Sequence, residues 1–200
     1  MIIFENNSQE PFYVLKDLYN LALNEEKAIE AISLSTIDLK HKKPFSRYVN
    51  IKYIKNDKLI FFTNYNSNKA NQLSKTNNVS CIFYWKSINT QIRIEGCISK
   101  CDNSFSDYHF SKRNLEKNAL AISSNQSKSI ESYEKVIEKY NEALSNVTRD
   151  TKRPKYWGGY EISPTYFEIW TGNKNRLNNR KEFKLVDGKS KTWQTAYLEP

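Results

Sequence analysis

Trp170, Arg176 and Arg180 stand close together in the run WGGYEISPTYFEIWTGNKNRLNNR, residues 157–180. An indole face offers stacking area, and guanidinium groups offer paired hydrogen bonds to phosphate or carboxylate. The combination suits a flat, anionic, aromatic ligand such as a phosphorylated heteroaromatic cofactor or substrate. A second reading is structural: Trp157, Tyr160, Phe167 and Trp170 would be core aromatics and the arginines solvated. Further cationic and amide side chains recur where strands should end: Arg47, Lys52, Lys69, Gln91, Arg113 and Gln126. Taken singly, each reads as a surface residue. No G-x-S-x-G elbow and no H-E-x-x-H pair occurs. No Gly-rich phosphate loop is found among the 5 glycines. A Cys/His nucleophile pair has no supporting residues beside it.

These residues need elements to hold them. Leu15, Leu18, Tyr19 and Ala22 fall at helical spacing and predict a helix over 11–25. The run 29–38 alternates Ile32, Leu34 and Thr36 against Ser33 and Ser35, as a half-buried strand does. Strands over 46–54 and 58–64, joined by a short KND turn, predict a hairpin. A short helix over 67–76 follows, with Ser67 as its N-cap. Strands are expected over 78–85 and 90–101, then helical segments over 104–120 and 129–145. The chain closes with strands over 157–170, 181–187 and 192–198, with Asp187-Gly188 as a turn signal. Seven or eight short, mostly antiparallel strands with helices between them predict a mainly β, α+β fold: a closed or nearly closed barrel. The βαβ rhythm of a doubly wound parallel sheet is absent.

The chain has 200 residues, room for one domain with an attached helical arm, and is 38% hydrophobic and 14% aromatic. Its formal net charge of +9 is compatible with nucleic acid, an anionic membrane or anionic small ligands. The lysines are spread out, with no run of five or more basic residues, which argues against nucleic acid. The odd count of 3 cysteines, Cys81, Cys97 and Cys101, argues against a disulfide framework and for a reducing, cytoplasmic compartment. With only His41 and His109 available, no metal site is expected. The N-terminus lacks the pattern of a secretory signal, and no stretch reaches the roughly 20 apolar residues that span a bilayer.

The stretches SRYVNIK, FFTNYNSNKANQL, TQIRIEG, NQS at 125–127 and WGGY…FEIWTGNKNRLNNR, in that order, resemble the pyridoxamine 5′-phosphate oxidase family. The resemblance covers about residues 29–200. It implies a split β-barrel homodimer of the FMN-binding type, with FMN sites at the subunit interface. The division it suggests is a helical arm over 1–28 and an FMN-binding domain over 29–200, with a helical insertion at about 104–145. The implied reaction passes a hydride equivalent from pyridoxamine or pyridoxine 5′-phosphate to flavin N5, and O2 reoxidises the flavin, giving pyridoxal 5′-phosphate.

By the same resemblance, the FMN contacts are Arg47, Tyr48, Val49, Lys52, Phe62, Thr63, Asn68, Lys69, Gln91, Gln126, Ser127, Trp170 and Arg180. Asn68 stands where an Arg is common, which removes one phosphate contact. Arg47 and Lys52 are five apart, so an ideal strand would send them to opposite faces, and a bulge or bend is needed if both line one pocket. The substrate contacts implied are Lys52, His109, Arg113, Lys117, Arg176 and Asn178, with Arg176 and Asn178 beside the reacting ring. His109 replaces a Tyr, Lys117 a Ser and Asn178 a His, while Tyr197 replaces an Arg near the end. Asn cannot carry a proton charge, so a slower or retargeted oxidase is expected. Three alternatives stand beside it: a related flavoprotein acting on a phenazine-type ring, a non-catalytic FMN or pyridoxal phosphate binder, and a basic nucleic-acid-binding barrel.

Overall fold

The alternation read in the sequence buries every second side chain along the runs 31–36, 79–85 and 90–98. The computed structural model describes residues 1–27, 29–186 and 192–200, so the expected Asp187-Gly188 turn lies outside the described residues. The strands are β1 (Ile3–Glu5), β2 (Ala31–Asp38), β3 (Lys43–Lys55), β4 (Lys58–Asn64), β5 (Asn78–Trp85), β6 (Thr90–Lys100), β7 (Trp157–Thr171), β8 (Asn179–Val186) and β9 (Thr192–Tyr197). The helices are α1 (Glu10–Glu25), α2 (Asn68–Leu73), α3 (Asn103–Lys112), α4 (Leu115–Ser123) and α5 (Tyr133–Asn146). Strand order runs β1-β3-β2-β5-β6-β7-β8-β9, and β4 pairs with both β3 and β7. The path β3-β2-β5-β6-β7-β4 therefore returns to β3 as a closed six-stranded barrel. Closure removes the exposed edges that open sheets must protect.

Local chemistry accounts for the joints. Asn56 and Asp57 both have positive φ (50° and 59°), the geometry of a two-residue turn whose twist matches the β3–β4 hairpin. Ser67 caps α2, its hydroxyl accepting from the Ala70 amide. The expected helix over 104–120 is in fact two: Arg113 is extended, and the Asn114 side chain accepts from Lys117 N to start α4. An Asn at that position competes for the backbone and resets the helix. Similarly, α5 begins at Tyr133, where Ser132 caps it, rather than at 129. Strand β1 pairs parallel with β3, and its three residues are too short to show a period.

Two compact units divide the chain: residues 1–61, 77–99 and 161–200 form the first, and 62–76 with 100–160 the second. In the first, Ile32, Leu34, Ile51, Phe83, Ile92, Ile94, Phe167 and Phe183 are fully buried. Helix α1 closes this core, with Phe12 edge-on to Phe167 at 5.3 Å and Tyr19 edge-on to Trp85 at 6.0 Å. In the second, Phe110, Ala121 and Trp157 form the core, with Phe62, Ile122 and Tyr156 packed against it. Gly159 is required there: a Cβ would lie 2.7 Å from Cys101 Sγ.

Candidate functional site

In the second unit, a buried lysine organises a polar cluster. Lys69 is only 8% exposed. Its ammonium donates to Thr63 Oγ1 (2.8 Å), Gln126 Oε1 (3.0 Å) and Ser67 Oγ (3.3 Å). A buried ammonium is tolerable only with such oxygens around it. The Thr63 hydroxyl also donates to Gln126 Oε1 (3.0 Å), and the Asn68 amide donates to Ser127 Oγ (3.3 Å). Asn64 Nδ2 donates to Ser124 O (3.0 Å), tying the segment after α4 to β4. Thr63, Asn68, Lys69, Gln126 and Ser127, scattered in the sequence, thus meet in one place. Ser127 adopts φ 72°, uncommon for a residue other than glycine. Ser67 was expected only as a helix cap; its hydroxyl also serves Lys69.

The same unit holds a stack of flat groups. Phe62 lies on His109 with ring centroids 3.7 Å apart and planes 9° apart, and beside Trp157 at 5.4 Å and 15°. The Arg113 guanidinium covers Trp157 at 4.4 Å and donates through Nη2 to the Lys117 carbonyl. Burial pushes its pKa down to about 10, so it stays charged at neutral pH. Arg113 Nε is buried with no hydrogen-bond partner among the described residues. Lys117 thus steadies Arg113 through its backbone, while its own side chain is exposed. Trp157 is the platform for Arg113, a role its place in the WGGY run did not reveal.

In the first unit, Arg47 on β3 donates to Leu34 O (3.3 Å) and Thr36 Oγ1 on β2; burial lowers its pKa. Tyr48 is 79% exposed, whereas its neighbours Arg47 and Val49 are half-buried. The β3–β4 register shifts between Ile51 and Tyr53, so Lys52 is an extra residue, a bulge at the point where the spacing from Arg47 called for one. The Lys52 ammonium lies 3.8 Å from Glu30 Oε1. Gln91 is half-buried on β6.

Trp170 and Arg180 are direct partners across β7 and β8. Arg180 donates to Glu168 Oε1 from Nε at 2.8 Å and to Glu199 O from Nη1 at 2.7 Å. So Trp157, Tyr160 and Phe167 are core aromatics, while Trp170 is half exposed beside an ion-paired arginine. Arg176 is exposed and has φ 60°. The Asn178 side chain accepts from Asn173 N (3.2 Å) and so closes the loop that presents Arg176.

Among the described residues, no group of three or more His, Cys, Asp or Glu could hold a metal ion, and no helix is long and apolar enough to cross a membrane.

Residues 22–145 match the family model described as pyridoxamine 5′-phosphate oxidase. Residues 157–200 match the pyridoxine 5′-phosphate oxidase C-terminal dimerisation region. The chain belongs to the pyridoxamine 5′-phosphate oxidase family. It is 33% identical over 192 residues to pyridoxine/pyridoxamine 5′-phosphate oxidase 1 of Hydrogenovibrio crunogenus, spanning 96% of this chain and 88% of that one. It is 34% identical over 194 residues to the pyridoxine/pyridoxamine 5′-phosphate oxidase of Gloeothece citriformis, spanning 95% and 88%. The fold is similar to that of PhzG from Burkholderia lata, solved in complex with tetrahydrophenazine-1-carboxylic acid. That likeness has a TM-score of 0.88 and 27% identity, covering 96% of this chain and 94% of that one. The dimerisation-region match supports a homodimer.

Proposed function

We propose that the chain is an FMN-dependent oxidase that converts pyridoxamine or pyridoxine 5′-phosphate to pyridoxal 5′-phosphate with O2 as acceptor. Two FMN molecules would sit at the interface of a cytoplasmic homodimer. The observation that carries the cofactor reading is the buried Lys69 ammonium ringed by Thr63, Ser67 and Gln126. An ammonium with two hydroxyls beside it, each able to turn its O–H toward an anion, is a donor set that suits a phosphate monoester, so the residues fit a phosphate-bearing flavin. When bound, FMN supplies the hydride acceptor and the reaction with oxygen.

The chain's own residues then bind and orient. Lys69 neutralises the cofactor phosphate, with Thr63 and Ser127 adding hydroxyl contacts. The one missing cation at Asn68 leaves that phosphate less fully neutralised than in the family pattern. Trp170, Gln91 and Arg180 frame the ring system. Arg113, held over Trp157 with its Nε unsatisfied among the described residues, binds the substrate phosphate, and Lys117 adds charge nearby. Arg176 and Asn178 face the reacting ring, where Asn178 can donate and accept hydrogen bonds but cannot carry a proton. Turnover depends on orientation and electrostatics, so no side-chain nucleophile is needed.

The likeness to PhzG, together with His109, Lys117 and Asn178 at substrate positions, favours a phenazine-type ring as the second reading. Anaerobic mixing of the FMN-loaded protein with pyridoxamine 5′-phosphate separates the two. Bleaching of the yellow absorbance, reversed by air with release of pyridoxal 5′-phosphate, is expected. A yellow protein that does not bleach would overturn the substrate assignment and leave the cofactor assignment standing.

A further inference from the structure

One carboxylate links the strands that carry three of the residues proposed for the flavin. Glu168 on β7 is 4% exposed. Its Oε1 accepts from both Nε and Nη2 of Arg180 at 2.8 Å. Its Oε2 accepts from Arg93 Nη2 at 2.8 Å and from the Tyr166 hydroxyl at 3.3 Å. Arg93 stands two residues after Gln91 on β6, and so on the same face. Trp170 stands two residues after Glu168 on β7, directly across from Arg180. A single carboxylate therefore joins the strand bearing Gln91, the strand bearing Trp170 and the strand bearing Arg180.

A buried ion pair is a poor way to stabilise a fold, because desolvating the charges offsets most of their attraction. What it does well is specify geometry. Two N–H groups of one arginine on one oxygen fix both the plane and the direction of the guanidinium. The neighbouring carboxylate is kept out of the arrangement: Glu182, opposite Glu168, is engaged by Lys184 at 2.8 Å. Burial alone would raise the Glu168 pKa, but the Arg180 hydrogen bond and the charges of Arg93 and Arg180 outweigh it and hold it low.

We infer that Glu168 is a positioning residue that orients the Arg180 guanidinium for the flavin; the inference rests on the FMN reading above. Its removal should act through Arg180 and not independently.

The test is a double-mutant cycle read by quenching of FMN fluorescence on titration into flavin-free protein. Glu168→Gln should raise the FMN Kd ~10-fold in the natural background and less than about twofold in an Arg180→Lys background, as expected for residues acting as one unit. Equal losses in both backgrounds would overturn the inference and assign Glu168 to the fold alone. If Glu168→Gln does not fold, Glu168→Asp, which keeps the charge but shortens the reach, is read in the same cycle against the same criterion. Failure of the unaltered protein to quench FMN would instead overturn the cofactor reading itself, a result distinct from additivity in the cycle.

Discussion

Lys69 and Lys117 lie in the same unit, each within the first turn of a short helix, yet they meet opposite fates. Lys69 is 8% exposed and held by three oxygens, whereas the Lys117 side chain is exposed and its carbonyl, not its ammonium, makes the contact that matters. The pair shows how the two halves of the proposed chemistry differ. On the flavin side a cation is buried, and a buried cation dictates its neighbours, since removing any of its oxygens would leave charge unsolvated. On the proposed substrate side the groups are exposed or half-exposed. The departures from the family pattern at His109, Lys117 and Asn178 fall on this second, less buried side. Asn68, the departure on the flavin side, is likewise exposed.

The strongest attack on this contrast is to remove the buried charge. Lys69→Gln should raise the FMN Kd by about 100-fold, the scale of one charge-assisted hydrogen bond to phosphate in a desolvated site. FMN fluorescence quenching reads it, and a change under about threefold would mean that burial does not mark the cofactor side. Arg113→Ala is expected to raise the KM for the phosphorylated substrate roughly 10-fold while leaving FMN affinity unchanged. A parallel fall in FMN binding would erase the distinction between the two sides. Asn178→His should increase kcat a few-fold, on the order of a modest general acid–base contribution, if the substrate is a pyridoxine phosphate. Steady-state release of pyridoxal 5′-phosphate measures it, and an unchanged rate would favour another ring substrate.

The smallest effect concerns acid. Glu168 has its folded pKa below the unfolded carboxylate value of about 4.3. Its contribution to stability is therefore complete above that value and is lost as pH falls through the lower folded one. Unfolding midpoints of the natural protein should drop more steeply below about pH 4 than those of Glu168→Gln, and parallel curves would rule this out.

Much of this is legible in the residues. The period-2 alternation of Ile32 and Leu34, the KND turn and the Ser67 cap all lie where local chemistry puts them. The five-residue spacing from Arg47 to Lys52 calls for an irregular strand only if both line one pocket, as the family resemblance implies, and the strand does carry a bulge there. What stays hidden is tertiary. Nothing in FEIW distinguishes a surface Glu from the buried hub at Glu168, because both suit an alternating strand. Trp157 beneath Arg113 is equally invisible, since that contact joins segments far apart in the chain. The break at Arg113–Asn114 escapes notice for a different reason: the helical spacing runs through it, and a single capping side chain interrupts it.

The bulge at Lys52 also sets a rule for how this strand tolerates editing. Side chains before it and after it keep their proper sides of the sheet only because one residue is supernumerary. Point substitutions along 47–53 change one side chain each. Deleting one residue between Arg47 and Lys52 would restore a plain ladder, with every amino acid type after the gap intact, and invert which side of the barrel the lysine addresses. In this segment, length is as much a part of the proposed binding code as composition.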